Sequence, residues 1–340
     1  MTAHAPANSS SGNHASQAAS SGPDPGESHH EGGGLRVVIA ALAINVAIAI
    51  IKFLAAIASR SAGMLAEALH SLADTANQIF LLVGFRLAAR PPDEEHPFGY
   101  ATESYFWAFI VALCIFAVGG SVSIVEGIQK LFHPHHQLEN LGWAFAVLIA
   151  SILLESYSFY VAMGEFQEIR KGRSVRRTLR EARDPTVLTV MFEDLAALFG
   201  LGVATLGLVL TYFTGNPLWD SIASVVVGLA LVCVAFVLGR DAKSLLIGRS
   251  VPAAEQRRIS EIAAASPDVL SVVHIRTLHF GPKEAMCGLK LQFNPALDIR
   301  TLEQRINELE ARLRSEMPHL RRIYVEPGFD ERAGRGETVG

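Results

Sequence analysis

The sequence has few charged residues and few cysteines. Only 18% of the 340 residues are Asp, Glu, Lys or Arg, whereas about 25% is usual in soluble domains, so an ordinary cytosolic enzyme is disfavoured. Lys and Arg number 29 against 33 Asp and Glu, and without a basic surplus we expect no nucleic-acid partner. The three cysteines, Cys114, Cys233 and Cys287, are too few and too scattered for a disulfide framework or a CxxC zinc site.

Long apolar runs, in contrast, are abundant, and 50% of the residues are hydrophobic. A helix needs about 20 residues to cross a bilayer, and six runs reach that length, at about 35–59, 65–88, 102–128, 142–165, 186–213 and 218–239. Residues 1–34 are mainly Ser, Gly and Ala with scattered His, a composition typical of disorder. We therefore predict a disordered tail (1–34), a six-helix transmembrane domain (35–240), a cytoplasmic domain (241–328) and a flexible C-terminus (329–340).

The hydropathy changes after Arg249, and the patterns of soluble secondary structure begin. Residues 253–265 and 300–316 have apolar positions at helical spacing, whereas 269–277 and 285–293 alternate as strands do. A short strand at 321–327 ends the unit. The order helix, strand, strand, helix, strand predicts a small α+β domain of ferredoxin-like type.

A basic loop sets the expected orientation. The connection between predicted spans four and five carries seven basic residues: Arg170, Lys171, Arg173, Arg176, Arg177, Arg180 and Arg183. Loops rich in Lys and Arg lie on the cytoplasmic side, and six spans place both termini on that same side. We therefore expect a multi-pass protein of the cell (inner) membrane with cytoplasmic termini.

Ionisable side chains inside the predicted spans point to a cation site. One helical stripe of span two contains Glu67, His70, Asp74 and Asn77. Span five contains Glu193 and Asp194, and span four contains Glu155. Each charge costs about 2.5–3.5 kcal/mol at the centre of a membrane helix, so a visiting cation or bound protons must neutralise them. A single polar residue in a span can instead form an interhelical hydrogen bond.

The residue types favour zinc over harder ions. Neutral imidazole together with carboxylates suits Zn²⁺, whereas Mg²⁺ and Ca²⁺ prefer oxygen ligands throughout. His70 and Asp74 are one helical turn apart, about 6 Å along the axis, so both can reach one ion. The same groups can also take up protons when the metal leaves, because imidazole titrates near neutral pH.

The phrases HSLADTANQ, EEHPFGY, FEDLAA and NPLWDS, together with the predicted spans and tail, resemble the cation diffusion facilitator family. Within it they are similar to the zinc-transporter-nine-like branch, and the resemblance runs from about Leu35 to Pro327. It implies a homodimer that exchanges metal for protons by alternating access. It also implies a transport site between spans two and five, with the metal as cargo and no separate cofactor.

The resemblance assigns ligands residue by residue. The positions that match family ligands are His70, Asp74 and Asp194. Many members have a further ligand one turn before the span-five aspartate, where this chain has Val190. We predict that Glu193 fills that place, with Glu155, Asn77 or a water molecule as the alternatives.

A second metal site of some members is only partly present, in the loop after span two. The chain has Asp93 and His96 of that site, but Tyr100 stands where the second histidine would be. The alternative is that HPFGY forms a structural turn in which His96 is hydrogen-bonded.

The family's metal site in the tail is also incomplete. His274 matches a family ligand, whereas its partner positions hold Lys290 and Val325. A lysine repels a cation, so we expect the tail to serve dimer contact and coupling rather than metal sensing.

The leading hypothesis is proton-coupled efflux of Zn²⁺ through a membrane. A membrane metal sensor that signals through the tail is one alternative, and an exporter whose main ion is Mn²⁺, Fe²⁺, Co²⁺ or Cd²⁺ is another. A zinc hydrolase is disfavoured, because the sequence has no HExxH motif to supply the open coordination position and general base.

Overall fold

The structure, a computed structural model, describes residues 28–59, 62–132, 141–170, 172–181 and 184–329. A bundle of helices comes first: α1 (Ser28–Ser59), α2 (Ala62–Ala88), α3 (Glu103–Cys114), α4 (Val122–Phe132), α5 (Leu141–Arg170), α6 (Val175–Glu181), α7 (Pro185–Thr214) and α8 (Leu218–Gly248). Helix α1 begins at Ser28 rather than at about residue 35, so it extends into the segment predicted to be disordered. The rest of that segment, and the C-terminus from residue 330, lie outside the described residues.

Five of the six predicted spans are confirmed as helices long and apolar enough to cross a membrane. Within the described ranges these helices begin at Gly34, Glu103, Phe145, Pro185 and Leu218. The predicted second span is α2, whose 27 residues correspond to about 40 Å of helix. Its length suffices for a bilayer, but its polar stripe lowers its hydropathy. That α2 crosses the membrane stays a prediction.

Capping residues set the two ends of α7 and thereby the position of Glu193 and Asp194 along this helix. The Asp184 side chain accepts a hydrogen bond from the Thr186 backbone N–H at 2.9 Å, and Pro185 takes the first turn. At the other end Gly215 has φ 68°, the left-handed conformation that closes many helices. Asp194 therefore lies about two and a half turns inside the helix.

The third predicted span changes helix type halfway along. Between α3 and α4 the chain forms a π-helical segment, Ile115–Ser121, and such segments are often found at functional sites. Gly120 in this segment packs closely on α8: a Cβ atom there would lie 3.2 Å from the Gly228 carbonyl oxygen. We call α3, the π-helical segment and α4 together the third span.

The part after the bundle has the predicted order of elements: α9 (Ala253–Ala264), β1 (Val269–Gly281), β2 (Glu284–Phe293), α10 (Ile299–Glu316) and β3 (Leu320–Pro327). We call it the tail unit. Its sheet has the strand order β1-β2-β3, with β1 antiparallel and β3 parallel to β2. That this unit has a ferredoxin-like fold stays a prediction.

Strand β2 carries much of the tail core. Its alternate residues Ala285, Cys287, Leu289, Leu291 and Phe293 are all buried, because successive side chains of a strand point to opposite faces. Burial also raises the pKa of the Cys287 thiol to about 12. This cysteine is therefore a packing residue.

Candidate functional site

A cavity of about 480 Å³ lies inside the helical bundle, between α1, α2, the third span, α5, α7 and α8. All four predicted ligands line it: His70, Asp74, Glu193 and Asp194. The other acidic and basic residues of its wall are Lys52, Glu126, Lys130, Glu155 and Asp220. The structure thus brings acidic residues of five predicted spans to one cavity.

The polar stripe of α2 faces this cavity. His70, Ser71, Asp74 and Asn77 all belong to its lining, as expected of positions that share one face of a helix. The Glu67 side chain, which the sequence places on the same stripe, lies outside the described residues.

Two amide side chains of α2 donate hydrogen bonds to the Glu193 carboxylate. The Asn77 amide nitrogen donates to Oε1 of Glu193 at 3.0 Å, and the Gln78 amide nitrogen donates to Oε2 at 2.7 Å. These bonds join α2 to α7 across the cavity wall. The sequence analysis does not single out Gln78, although a second amide directly after Asn77 in a helix with several polar residues could have indicated it.

Asp194 has a different environment. Its side chain is buried and interacts with the Ser158 hydroxyl of α5. Its other carboxylate oxygen, Oδ2, is buried without a hydrogen-bond partner among the described residues. Asp194 and Asp74 both interact electrostatically with Glu155. A buried acceptor without a donor is costly, and a cation in the cavity would satisfy it.

The predicted ligands share the cavity without forming a compact cluster. Within the described ranges, no three His, Cys, Asp or Glu side chains lie close enough to hold a metal ion. Val190, which stands where many family members have a further ligand, packs into the apolar core of the bundle. The set His70, Asp74, Glu193 and Asp194 therefore stays a prediction.

The two ends of the cavity differ. Towards the tail unit the helices pack into an apolar core that includes Val37, Leu81, Val111, Val187 and Leu238. Away from the tail unit the cavity reaches Lys130, near the end of α4, and Asp220, in the first turn of α8. Their side chains are 35% and 43% exposed. The cavity therefore reaches partly exposed side chains at the end opposite the tail unit, which we call the mouth.

Three charged side chains form ion pairs at the mouth. The Lys130 ammonium lies 3.0 Å from a Glu126 carboxylate oxygen and 3.2 Å from one of Asp220. The first pair lies within α4, and the second joins α4 to α8. Lys130 is thus an ion-pair partner of Asp220, whose role the sequence leaves open.

The loop after α2 has the geometry of a turn. The Asp93 carboxylate accepts hydrogen bonds from the His96 backbone N–H and from the Tyr100 hydroxyl, each at 2.7 Å. The bond from Tyr100 is the main reason that the pKa of Asp93 lies below its usual value. Both carboxylate oxygens thus accept hydrogen bonds within the turn, and a metal site at Asp93 and His96 stays a prediction.

The same loop docks on the tail unit. Phe98 stacks on Phe280 of β1, with ring centroids 5.2 Å apart. Arg322 of β3 lies over both rings and donates to the Phe98 carbonyl oxygen at 2.7 Å. The guanidinium also bonds Glu284 of β2 at 3.0 Å. The HPFGY phrase therefore supplies a contact between the bundle and the tail unit.

We expect Arg322→Met to loosen this contact while leaving the strands folded. Methionine keeps the length of the side chain but loses its charge and hydrogen bonds, and a hydrogen bond to a charged group contributes roughly 1.5–3 kcal/mol. Hydrogen exchange of residues 91–101 should become about tenfold faster. The control Arg314→Met removes only an ion pair within α10, and equal exchange in both variants would contradict the contact's role.

His274, the candidate ligand in the tail unit, lies beside a lysine. His274 lies opposite Lys290 in the β1–β2 ladder. The Lys290 ammonium pairs with Glu326 at 3.0 Å. The cross-strand neighbour of His274 is thus a cation, and the role of the tail in metal sensing stays a prediction.

An acid-lined cavity among helices of membrane length is the arrangement of a membrane protein that handles cations. The chain belongs to the cation efflux family: the profile described as the cation efflux transmembrane domain matches residues 38–247. This confirms the resemblance to the cation diffusion facilitators, a family of transporters rather than of enzymes.

Several named relatives support the same placement. The chain is 36% identical over 261 residues to the proton-coupled zinc antiporter SLC30A9, mitochondrial, of Xenopus laevis, which covers 76% of this chain and 46% of that protein. Metal tolerance protein C4 of Arabidopsis thaliana is 32% identical over 277 residues, or 81% of this chain and 60% of that protein. A probable cation efflux system protein of Mycobacterium tuberculosis is 28% identical over 316 residues, which cover 90% of this chain and 88% of that protein. The chain thus spans about half the length of the first two relatives.

Proposed function

We propose that this protein carries a divalent metal cation, with zinc as its main cargo, across a membrane in exchange for protons. One observation carries the proposal: predicted ligands from α2 and α7, more than a hundred residues apart in sequence, line one cavity. The zinc antiporter named among the relatives supports the choice of metal and of counter-ion.

In the proposed site, His70 and Asp74 bind the ion from α2, and Asp194 binds it from α7 through Oδ2. Zinc takes such ligands in a tetrahedron at about 2.0–2.2 Å, so the helices must close slightly around the ion. Glu193 is the fourth ligand. Each carboxylate oxygen accepts more than one bond, so the amides of Asn77 and Gln78 orient this residue and leave it able to bind metal.

Protons replace the metal in the exchange cycle. Uncompensated carboxylates at membrane depth are costly, so the site must hold either metal or protons. The imidazole of His70 is suited to this alternation because the same ring nitrogen can hold either a metal ion or a proton. Release of the metal into the mouth and uptake of protons from the same side complete one half of the cycle.

The proposed setting is a membrane crossed six times, with α2 as the second crossing. We place the protein in the cell (inner) membrane with both termini in the cytoplasm, so that the mouth faces outwards. The functional form is a homodimer, as the family resemblance implies, and the tail unit contributes to contact between the two copies. The basic loop around α6 supports this orientation.

The test uses the purified protein in sealed vesicles with a zinc dye and a pH dye inside. We expect zinc to enter when a proton gradient is imposed and protons to leave in the same period, with neither flux in vesicles without protein. Competition by Mn²⁺, Fe²⁺, Co²⁺ and Cd²⁺ ranks the ions. Zinc binding with no net flux would favour the sensor alternative. If another of these ions is transported in preference to zinc, that ion and not zinc is the main cargo.

A further inference from the structure

Lys130 lies between two carboxylates at the mouth of the cavity. Its ammonium is 3.0 Å from a carboxylate oxygen of Glu126 on α4 and 3.2 Å from one of Asp220 on α8. We call Glu126, Lys130 and Asp220 the mouth triad, and all three residues line the cavity. A metal ion that moves through this end of the cavity therefore comes within reach of the same two carboxylates that the lysine already pairs with.

The mouth triad continues two helix faces that line the cavity. On α4 the lining residues Ser123, Glu126 and Lys130 are three and four positions apart, so they share one face of the helix. On α8 Asp220 is followed one turn later by Ser224, which also lines the cavity. The triad is thus the outer part of the cavity wall and not an ion pair on an unrelated surface.

The packing of α4 on α8 has contacts of its own beside the mouth triad. A Cβ atom on Gly127 would lie 2.8 Å from the Val225 backbone nitrogen and 3.0 Å from the Ser221 carbonyl oxygen, so the two backbones are in close contact there. The triad side chains are partly exposed, and ion pairs at exposed positions contribute little to stability. The Lys130 ammonium, on its flexible four-carbon stem, can therefore leave the carboxylates without separating the helices.

We propose that Lys130 controls the passage of the metal ion at the mouth, because its ammonium is a tethered cation that competes with the ion for Glu126 and Asp220. The proposal rests on the proposed function, since it concerns the transported ion. With the ammonium in place, the triad carries one net negative charge, which attracts a metal ion only weakly. Without it, two uncompensated carboxylates would hold a divalent ion at the mouth. Lys130 thus lets the ion leave this end of the cavity.

The test offers zinc at the mouth, in vesicles that enclose the tail unit and have an acidic lumen. Vesicles of the opposite orientation are removed with a resin that binds a tag on the C-terminus. In about 10 mM potassium nitrate, where charges act over about 30 Å, Lys130→Met should lower the KM for zinc about fivefold, because the ion meets one more uncompensated negative charge. Glu126→Gln and Asp220→Asn each remove a negative charge, so each should raise this KM about fivefold.

Salt gives a readout that a merely structural role would not move. In about 1 M potassium nitrate the range of exposed charges falls to about 3 Å, so the KM of Lys130→Met should return to within about twofold of the unmodified protein. Lys130→Arg keeps the charge and should preserve the KM at both salt concentrations. The matched control is Lys243→Met, an exposed lysine of α8 outside the cavity lining. An unchanged KM, shifts of the same sign in the lysine and carboxylate variants, or a shift that persists in high salt would each overturn the proposal.

The same vesicles separate this inference from the proposed function. If the unmodified protein does not move zinc in exchange for protons, the proposed function is wrong. If the unmodified protein does exchange them and the triad variants fail to shift the KM in the expected directions, only the role assigned to Lys130 is wrong.

Discussion

Replacing Asp194 by asparagine is expected to lower the rate of zinc–proton exchange by about 100-fold or more. The amide keeps the size of the side chain and can still interact with Ser158, but it removes the charge and alters the buried Oδ2 position. Loss of a residue that merely orients a metal ligand costs about 10- to 100-fold in affinity, so loss of a ligand should cost at least the upper value. The measurement is the initial rate of zinc entry into vesicles under a fixed proton gradient.

The matched control for this variant is Asp241→Asn. Asp241 lies on another long helix, α8, and is not part of the cavity lining. Its side chain is 46% exposed, and one carboxylate oxygen lies 3.7 Å from the Arg249 guanidinium. We expect its exchange rate to stay close to that of the unmodified protein. Zinc entry that persists when Asp74 and Asp194 are both replaced by alanine would show that the site is assigned to the wrong residues.

Replacing Gly228 by valine is expected to destabilise the bundle by about 3 kcal/mol. A Cβ atom on Gly228 would lie 2.8 Å from the Gly120 carbonyl oxygen and 2.8 Å from the Ile124 backbone nitrogen. Backbone atoms cannot turn aside as a flexible side chain can, so α8 and the third span would have to separate. Close crossings of membrane helices depend on such small residues. The unfolding temperature of the purified protein in detergent measures the effect.

Gly202→Val is the control, because it makes the same substitution in α7 at a position where a new Cβ meets no atom within 4 Å. Both variants change helix propensity equally. The difference between their unfolding temperatures therefore measures how much the close packing of α8 on the third span contributes to stability. We also expect the Gly228 variant to exchange zinc more slowly, since Val227 and Leu231 of the same helix line the cavity. Equal unfolding temperatures would contradict the close crossing.

The parts of the fold that depend on local periodicity follow from the sequence. The i, i+4 spacing of His70 and Asp74 predicts one face of α2, and both residues do line one cavity. The alternation in 285–293 predicts β2 almost to the residue. Strand β1 continues to Gly281, beyond the predicted end at 277, because its last residues pair with the start of β2 across a tight turn.

The contacts that depend on how distant elements pack do not follow from the sequence. The bond between Arg322 and Phe98 joins residues 224 apart, and no local pattern marks either partner. Asn77 and Gln78 reach Glu193 only because α2 and α7 meet in one particular register. Periodicity shows which face of a helix is polar but not which neighbouring helix faces it.

The apolar packing on the tail side of the cavity has a consequence for the membrane that holds this protein. A continuous file of water through the helices would let protons flow down their gradient without moving any metal. Buried branched side chains such as Val111, Val187 and Leu238 pack together on that side, so we expect this form to pass few protons in the absence of metal. A zinc–proton exchanger built this way would preserve the electrochemical energy stored across the bilayer.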